Sequence, residues 1–214
     1  MATTRQITGL LERHLGVEVA PFAAKLVRDG VLPRRDRPVD GLDAAILLLA
    51  VAAAPSPADA LETTIALQGA PVQAVHRAIT STLSSPAVWG VATEKDRERV
   101  PLTATEAIVE ALRRDSGISI VSLRVEQGGA SAKLNIFIRG ERPAQYRAWY
   151  AQPEAHRATG LKRLAEVSGS VITALADAMN PERRSLGHSR ARSCTRRRLN
   201  FTKGGDRAAS STPN

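Results

Sequence analysis

Within the first 37 residues, Gly16 and Gly30 each end a short stretch, and this spacing constrains the fold more than any other feature of the chain. Apolar side chains recur at three- and four-residue steps from Ile7 to Leu15, which is the period of an amphipathic helix, and a threonine at position 3 or 4 precedes them as an N-cap. Gly16 can adopt the left-handed conformation that ends a helix, and the second stretch ends at Gly30. This pattern predicts a helix-turn-helix, whose second helix lies in the major groove of DNA. An ordinary structural helix pair is the alternative.

The end of the second stretch resembles a known family. The segment Arg28-Asp29-Gly30-Val31-Leu32-Pro33 is similar to the end of the recognition helix in MerR-like helix-turn-helix proteins, where a glycine stops the helix and an apolar pair returns the chain to the core. With the leucine-rich stretch at 41–50, the region also resembles uncharacterised helix-turn-helix proteins of alphaproteobacterial phages and prophages. The MerR-like resemblance covers only about residues 4–37, and the second resemblance adds 41–50. It implies a phage-associated DNA-binding role and brings no catalytic residue.

Basic side chains in and after the second stretch are the candidate DNA contacts. We expect Lys25 and Arg28 one helical turn apart on its exposed side. Arg34, Arg35 and Arg37 follow in the exit segment, and guanidinium groups beside a recognition helix reach phosphates. A solvated loop is the alternative for the exit segment.

The excess positive charge is concentrated at the C-terminus. Of the formal charge of +9, residues 181–214 hold nine Lys or Arg against two acidic residues, which leaves 21 basic and 19 acidic residues before them. This stretch lacks apolar periodicity and predicts a disordered basic tail. We expect Arg196, Arg197 and Arg198 to contact phosphates, whereas the alternative is a solvated tail that aids solubility.

Cysteine content and hydropathy bear on the compartment. Cys194 is the only cysteine, so neither an intramolecular disulfide nor a cysteine cluster for zinc is possible, which fits a reducing cytoplasm. The apolar stretch at 42–54 is too short to span a bilayer. We therefore expect a soluble cytoplasmic protein without a membrane partner.

The chain divides by pattern into four parts. Residues 1–84 predict a helical bundle that contains the helix-turn-helix, with further helices over 44–54, from Ser56 to about Gln68 and from Pro71 to about Leu83. A serine-proline break and a mixed charge run predict a linker over 85–103. Residues 104–180 predict a small α+β domain, and the basic tail follows from 181.

Two extended runs in the third part predict a β-hairpin. Residues 118–126 and 132–139 flank a glycine pair at 128 and 129, which suits a tight turn. This register places Val121 opposite Ile136 on an apolar face and Arg124 opposite Lys133 on the other face. Opposed cations require a neutralising anion, either Glu126 or a phosphate, so Arg124 and Lys133 are further candidate DNA contacts. A solvated sheet face is the favoured alternative.

Aromatic residues follow the hairpin. Tyr146, Trp149 and Tyr150 lie within five positions and flank Arg147. Such rings and guanidinium groups stack the bases of single-stranded nucleic acid, but a small core that covers the sheet is the favoured interpretation. A final helix over 158–179 is predicted to pack on the hairpin or to form a homo-oligomer interface, at least a dimer, through Leu161, Leu164, Val167, Val171, Leu175 and Met179.

Enzyme signatures are weak. The four histidines show no metal-binding spacing, and the sequence has neither a phosphate-binding glycine loop nor a nucleophile elbow. We expect no catalytic residue, metal, cofactor or small-molecule substrate; a nuclease with dispersed carboxylates such as Asp115, Glu126 and Glu141 is the alternative.

The expected fold is mainly α with a small α+β part: an N-terminal helix-turn-helix bundle, a C-terminal β-hairpin plus helices, and a disordered basic tail. The expected function is sequence-specific binding of double-stranded DNA in a phage or prophage setting, as a transcriptional regulator. The alternatives are the recognition subunit of a DNA-processing or packaging machine and a protein–protein adaptor.

Overall fold

The computed structural model describes residues 2–34, 36–80, 88–113, 115–140, 142–153 and 163–181. The helices among these residues are α1 (Thr4–Leu15), α2 (Ala20–Arg28), α3 (Gly41–Ala53), α4 (Ala60–Gln68), α5 (Glu94–Arg97), α6 (Ala104–Leu112) and α7 (Gly169–Met179), with a 3-10 turn at Pro57–Asp59. The strands are β1 (Val72–Thr80), β2 (Val88–Val91), β3 (Ile118–Glu126), β4 (Ser131–Ile138), β5 (Ala144–Ala151) and β6 (Leu164–Ser168).

A large sheet overturns the predicted fold class. Six strands of the described residues form one antiparallel sheet in the order β2-β1-β5-β4-β3-β6. The prediction of a mainly α protein with a small α+β part is therefore wrong, and the C-terminal half carries more than a β-hairpin plus helices. Strands β1 and β2 lie in regions expected to be a helical bundle and a linker. Pairing with strands far along the chain, which local spacing does not reveal, overrides the local helical pattern.

Strand β1 replaces the helix predicted to begin at Pro71. Val72, Val75 and Ile79 recur at three- and four-residue steps, which imitates the period of a helix. In the structure this segment pairs with β5 on one side and β2 on the other, and a bulge between Val72 and Ala74 shifts its alternation. The bulge is the reason that a simple period of two is absent from the sequence.

The helices pack as a layer on one face of the sheet. Helices α6 and α7 both contact β3, while α3 contacts α2, α4 and α6. Residues 44–53 of α3 are all buried, which confirms the prediction from its nearly all-round apolar surface. A reciprocal capping box between Asp40 and Asp43 begins this helix. Helix α3 is therefore the centre of the helix layer; it contacts β3 and β6 directly and packs against α6, which also contacts β3.

The β3–β4 hairpin forms in the predicted register over most of its length, with Arg124 opposite Lys133. A bulge extrudes Val121, whose side chain is 49% exposed, so Ile120 takes the predicted place of Val121 opposite Ile136. Of the glycine pair in the turn, only the first has a positive φ, 71°. The turn therefore differs from a two-residue turn, in which both central residues need that conformation.

The last described segment is a strand followed by a helix, not one long helix. Strand β6 pairs with β3, and α7 begins after the N-cap Ser168. At Gly169 a Cβ atom would lie 2.2 Å from the carbonyl oxygen of Ile120, so only glycine fits this junction. Val171 and Leu175 are buried in the core. Of the stripe predicted as a subunit interface, Val167, Val171 and Leu175 are thus covered within the chain, whereas Leu164 is 68% exposed. Residues 158–162 of that predicted helix, including Leu161, lie outside the described residues.

Candidate nucleic-acid interface

The sheet has a second face that points away from the helix layer. Side chains of a strand alternate between the two faces, so the buried neighbours Leu134, Ile136, Tyr146 and Ala148 fix which residues point the other way. We call this second surface the outer sheet face. Its central side chains are His76, Trp89, Arg124, Lys133, Asn135, Arg147 and Trp149.

Two tryptophans on the outer sheet face each lie beside a cation. The guanidinium carbon of Arg147 is 4.3 Å from the ring centroid of Trp89, and the ammonium nitrogen of Lys133 is 6.0 Å from that of Trp149. Both cationic residues are exposed, and within the described residues neither forms an ion pair with a carboxylate. Positive charge and aromatic surface therefore coincide on this face, held together by cation–π attraction.

A row of polar side chains crosses the sheet beside these rings. His76, Arg147, Asn135 and Ser122 are neighbours on β1, β5, β4 and β3. Arg147 Nε donates to Asn135 Oδ1 (3.3 Å), and Asn135 Nδ2 donates to Ser122 Oγ (2.8 Å). The Asn135 side chain and the Trp89 ring therefore hold the guanidinium group of Arg147 from two sides.

The cation pair predicted on the hairpin is present, but a different carboxylate lies beside it. Arg124 Nε is 3.2 Å from Glu166 Oε2 on β6, while Glu126, the predicted neutralising residue, accepts a hydrogen bond from Ser131 Oγ (2.9 Å). Both side chains of the Arg124–Glu166 pair are more than half exposed, so the pair adds little stability. Of the two predicted contacts, Arg124 is paired with Glu166, whereas Lys133 has no carboxylate partner among the described residues. The charge of Lys133 is therefore the more available to a ligand.

The aromatic cluster of β5 divides between the two faces. Tyr146 and Tyr150 are fully buried on the inner face, which confirms the predicted core role for these two rings. The hydroxyl of Tyr150 donates to the carbonyl oxygen of Pro101 (3.1 Å). Arg147 and Trp149 alternate with them and lie on the outer sheet face. Strand β5 therefore contributes two tyrosines to the core and presents Arg147 and Trp149 on the outer sheet face.

A buried carboxylate on the inner side of the sheet links β1 and β5 to helix α5. Asp96, only 5% exposed, accepts hydrogen bonds from Tyr146 Oη (2.8 Å), Thr93 Oγ1 (2.8 Å) and Arg77 Nη1 (3.2 Å). Burial alone raises the pKa of Asp96, but the hydrogen bonds from Thr93 and Tyr146 and the guanidinium of Arg77 outweigh burial and hold the pKa below its usual range. Burial and the hydrogen bond to Asp96 raise the pKa of Tyr146. The network ties α5 to β1 and β5.

The N-terminal helix pair has the predicted local geometry. Helix α1 begins at a capping box between Thr3 and Gln6 and ends at Gly16, whose φ is 67°. Helix α2 is followed by Gly30, with a φ of 76°, and the chain then returns to the core at the buried Leu32. The predicted succession of helix, glycine turn and helix is confirmed.

Helix α2 nevertheless offers little surface to a DNA groove. Arg28 is its only exposed residue. Lys25 is half-buried, and its ammonium nitrogen lies 2.6 Å from Asp29 Oδ2. The carboxylate of Glu12 accepts hydrogen bonds from the backbone N–H groups of residues 19 and 20. A negative charge therefore stands at the N-terminal end of α2, the end that contacts bases in a helix-turn-helix.

The exit segment keeps its predicted exposure. Arg34 and Arg37 are exposed, and the backbone N–H of Arg37 donates to the carbonyl oxygen of Arg34 (2.9 Å) in a tight turn. The remaining predicted contacts lie outside the described residues: Arg35, Arg196, Arg197 and Arg198.

Sequence reasoning missed the contribution of β2. Trp89 lies within the predicted linker over 85–103, and nothing local links it to Arg147, from which it is separated by strand β1. The only available signal was composition, because Trp89 and Trp149 are the two tryptophans of the chain.

Among the described residues, no helix is long and apolar enough to cross a bilayer. In the same parts of the chain, no group of three or more His, Cys, Asp or Glu residues is placed to hold a metal ion. No known protein family, curated protein or solved structure matches this chain.

Proposed function

We propose that this protein binds nucleic acid and that the outer sheet face is its contact surface. The observation that carries this proposal is the pair of exposed cations, Lys133 and Arg147, that lie beside tryptophan rings on neighbouring strands without a carboxylate partner among the described residues. Cations provide the salt-dependent attraction to phosphates, and aromatic rings provide apolar surface for bases. On this proposal the protein is a binding protein and not an enzyme.

The second candidate is site-specific recognition of double-stranded DNA by the N-terminal helix pair. The exposed guanidinium groups of Arg28, Arg34 and Arg37 favour it, because they surround the end of α2. The Glu12 carboxylate and the Lys25–Asp29 ion pair weaken it. On this candidate the protein acts in the cytoplasm as a regulator of phage or prophage type, or as a subunit of a DNA-processing or packaging machine. A homo-oligomer remains part of this hypothesis.

The experiment measures affinity for labelled duplex and single-stranded DNA over a series of salt concentrations. We expect Lys133→Ala with Arg147→Ala to weaken binding at least about tenfold at low salt and to reduce the salt slope by about 1.4 for single strands, since each phosphate that a cation neutralises contributes about 0.7. The matched control is Lys95→Ala with Arg97→Ala, which removes the same charge from exposed positions on α5.

If the two double variants lose the same affinity, net charge alone explains the loss. That result would contradict a specific binding site on the outer sheet face. If neither decreases affinity but Arg28→Ala with Arg34→Ala does, the helix pair is the contact surface. A wild-type protein that binds no nucleic acid at low salt would leave the protein–protein adaptor as the better hypothesis.

A further inference from the structure

We infer that the outer sheet face is a stacking site for single-stranded nucleic acid, with Trp89 and Trp149 as its two base platforms; this inference rests on the proposed function. The chemistry that it recognises is an unpaired base attached to a phosphate, which single-stranded DNA and RNA share. Three features of the face support it: the spacing of the rings, the position of Arg147 between their rows, and the polar groups beside the rings.

The distance between the two tryptophan rings is greater than the width of one base. Trp89 lies opposite Ala78 on β1, and Trp149 lies opposite Ala74 on the same strand. Two strand spacings and four residues along a strand put the two tryptophan Cα atoms roughly 16 Å apart. Ala74 and Ala78 have small side chains and leave space on β1 opposite the two tryptophans, both of which are half-buried. A bound nucleic-acid strand therefore has to extend across the outer sheet face to contact both rings, and cannot occupy a single pocket.

The Arg147 cation is placed to hold a nucleic-acid strand between the two rings. Arg147 and His76 are opposite each other, midway between the rows of the two tryptophans. The guanidinium group of Arg147 already lies 4.3 Å from the Trp89 ring and is exposed on its other side, where a base or a phosphate can reach it. Guanidinium planes stack bases as aromatic rings do. The ring and the guanidinium therefore form one composite platform.

Polar groups beside the platforms suit base edges and sugars. Asn135 and Ser122 follow Arg147 in the same row and are half-buried. An amide and a hydroxyl can each donate and accept hydrogen bonds, so they tolerate different bases. Phe137, 37% exposed, adds another ring on β4.

A single strand fits this surface better than a duplex. In a duplex each base is covered on both faces by its neighbours in the stack, so a ring on a flat sheet cannot reach it without opening the helix. Unstacked bases of a single strand expose their faces and are bound by aromatic side chains together with backbone cations. The outer sheet face carries both kinds of group that bind an unpaired nucleic-acid strand, namely aromatic rings and cations.

The test uses the two tryptophans as reporters, because the chain has no others. We expect oligothymidylate of about 12 nucleotides to quench tryptophan emission of the full-length protein, and a duplex of the same length to do so far less. Trp89→Phe and Trp149→Phe each leave one reporter, and both should be quenched. An oligouridylate arm distinguishes RNA from DNA; quenching by either strand supports the inference.

Affinity is measured in parallel by anisotropy of the labelled strand. Replacing either tryptophan by leucine should weaken single-strand binding roughly 5- to 150-fold, and phenylalanine should restore most of it. Thermal unfolding of the variants confirms that they are folded. Failure of wild type to bind any strand overturns the proposed function as well, whereas tight binding without quenching, or equal affinity for duplex and single strand, overturns this inference alone.

Discussion

At the scale of single residues, the chain uses charge in two different ways. Asp96 is buried and receives four hydrogen bonds, so its charge is an internal structural group that holds α5 against β1 and β5. Lys133 and Arg147 are exposed, and within the described residues no carboxylate pairs with them. The buried charge serves stability, and the exposed charges are available for a ligand. The two kinds of residue are therefore separable by mutation.

The first prediction concerns Asp96. Its lowered pKa in the folded state contributes stability that is present above the unfolded value, near 3.9, and is lost as the pH falls through the folded value. We expect Asp96→Asn to lower the free energy of unfolding by about 1–3 kcal/mol at pH 7, because Tyr146 and Arg77 lose a charged acceptor. The same variant should show a shallower loss of stability below about pH 4 in urea titrations.

The control for this prediction is Asp115→Asn, which replaces an exposed carboxylate and should change stability by less than about 0.5 kcal/mol. Equal stability of Asp96→Asn and wild type at both pH values would show that the buried network is not a stabilising element.

At the scale of elements, the junction of β6 and α7 is the tightest point of the sheet. Gly169 follows the N-cap Ser168 directly, and its backbone lies against the bulge of β3, where a Cβ atom would be 2.2 Å from the oxygen of Ile120 and 2.7 Å from that of Val121. Both contacts are with backbone, which cannot rotate away. The bulge and the glycine together let a strand at the edge turn at once into a helix of the core.

We therefore predict that Gly169→Ala destabilises the protein by roughly 1–3 kcal/mol, the usual cost of overpacking. Gly117→Ala is the matched control, since a Cβ atom at Gly117 meets nothing within 4 Å. Chemical denaturation of both variants gives the comparison. Similar unfolding midpoints for the two would mean that the β6–α7 junction adapts without strain.

Helix α7 supplies a third prediction. Because Val171 and Leu175 are in the core, their joint replacement by glutamate should prevent folding, with loss of the cooperative transition and of ordered circular dichroism. If the stripe instead formed the subunit interface that the sequence pattern predicts as one possibility, the same variant would be a folded monomer. A soluble, cooperatively folded Val171→Glu, Leu175→Glu protein would show that the helix lies at an interface between subunits.

At the scale of the whole molecule, the described residues cover one face of the sheet with helices and place no helix layer on the other. The helix layer covers the inner face of the sheet, and the outer sheet face carries the aromatic rings and cations. Residues 1–180 form a compact unit with nearly balanced charge, whereas nine of the 30 basic residues follow it in the sequence. On the proposed function, local contacts on the sheet and long-range attraction from the C-terminal charges would therefore be distinct sources of affinity for nucleic acid.

The fourth prediction is that deletion of residues 182–214 leaves the thermal unfolding of the compact unit unchanged. The same deletion should reduce the salt slope of nucleic-acid binding by about 0.7 for each phosphate of a single strand that the C-terminal cations neutralise in the full-length protein. Quenching of the two tryptophans should persist at low salt, because both belong to the remaining unit. A truncated protein that unfolds at lower temperature would show that the C-terminal residues stabilise the unit.

The sequence by itself determined the local structure. Capping residues, glycines and apolar periods predicted α1, α2 and α3, and the alternation of apolar residues around a glycine pair predicted the β3–β4 register, including Arg124 opposite Lys133. These features depend on residues close together in the chain, whose steric and hydrogen-bonding preferences act within a few positions.

Only the tertiary structure decided which distant strands pair and which side chains share a face of the sheet. Strand β1 has a helical spacing of apolar residues and becomes a strand because β5, some 70 residues away, supplies its hydrogen bonds. The meeting of Trp89 with Arg147 and the closeness of Gly169 to Ile120 likewise depend on strand order and on bulges. Pairing between distant strands sets which side chains share a face, and local periodicity carries no information about that pairing.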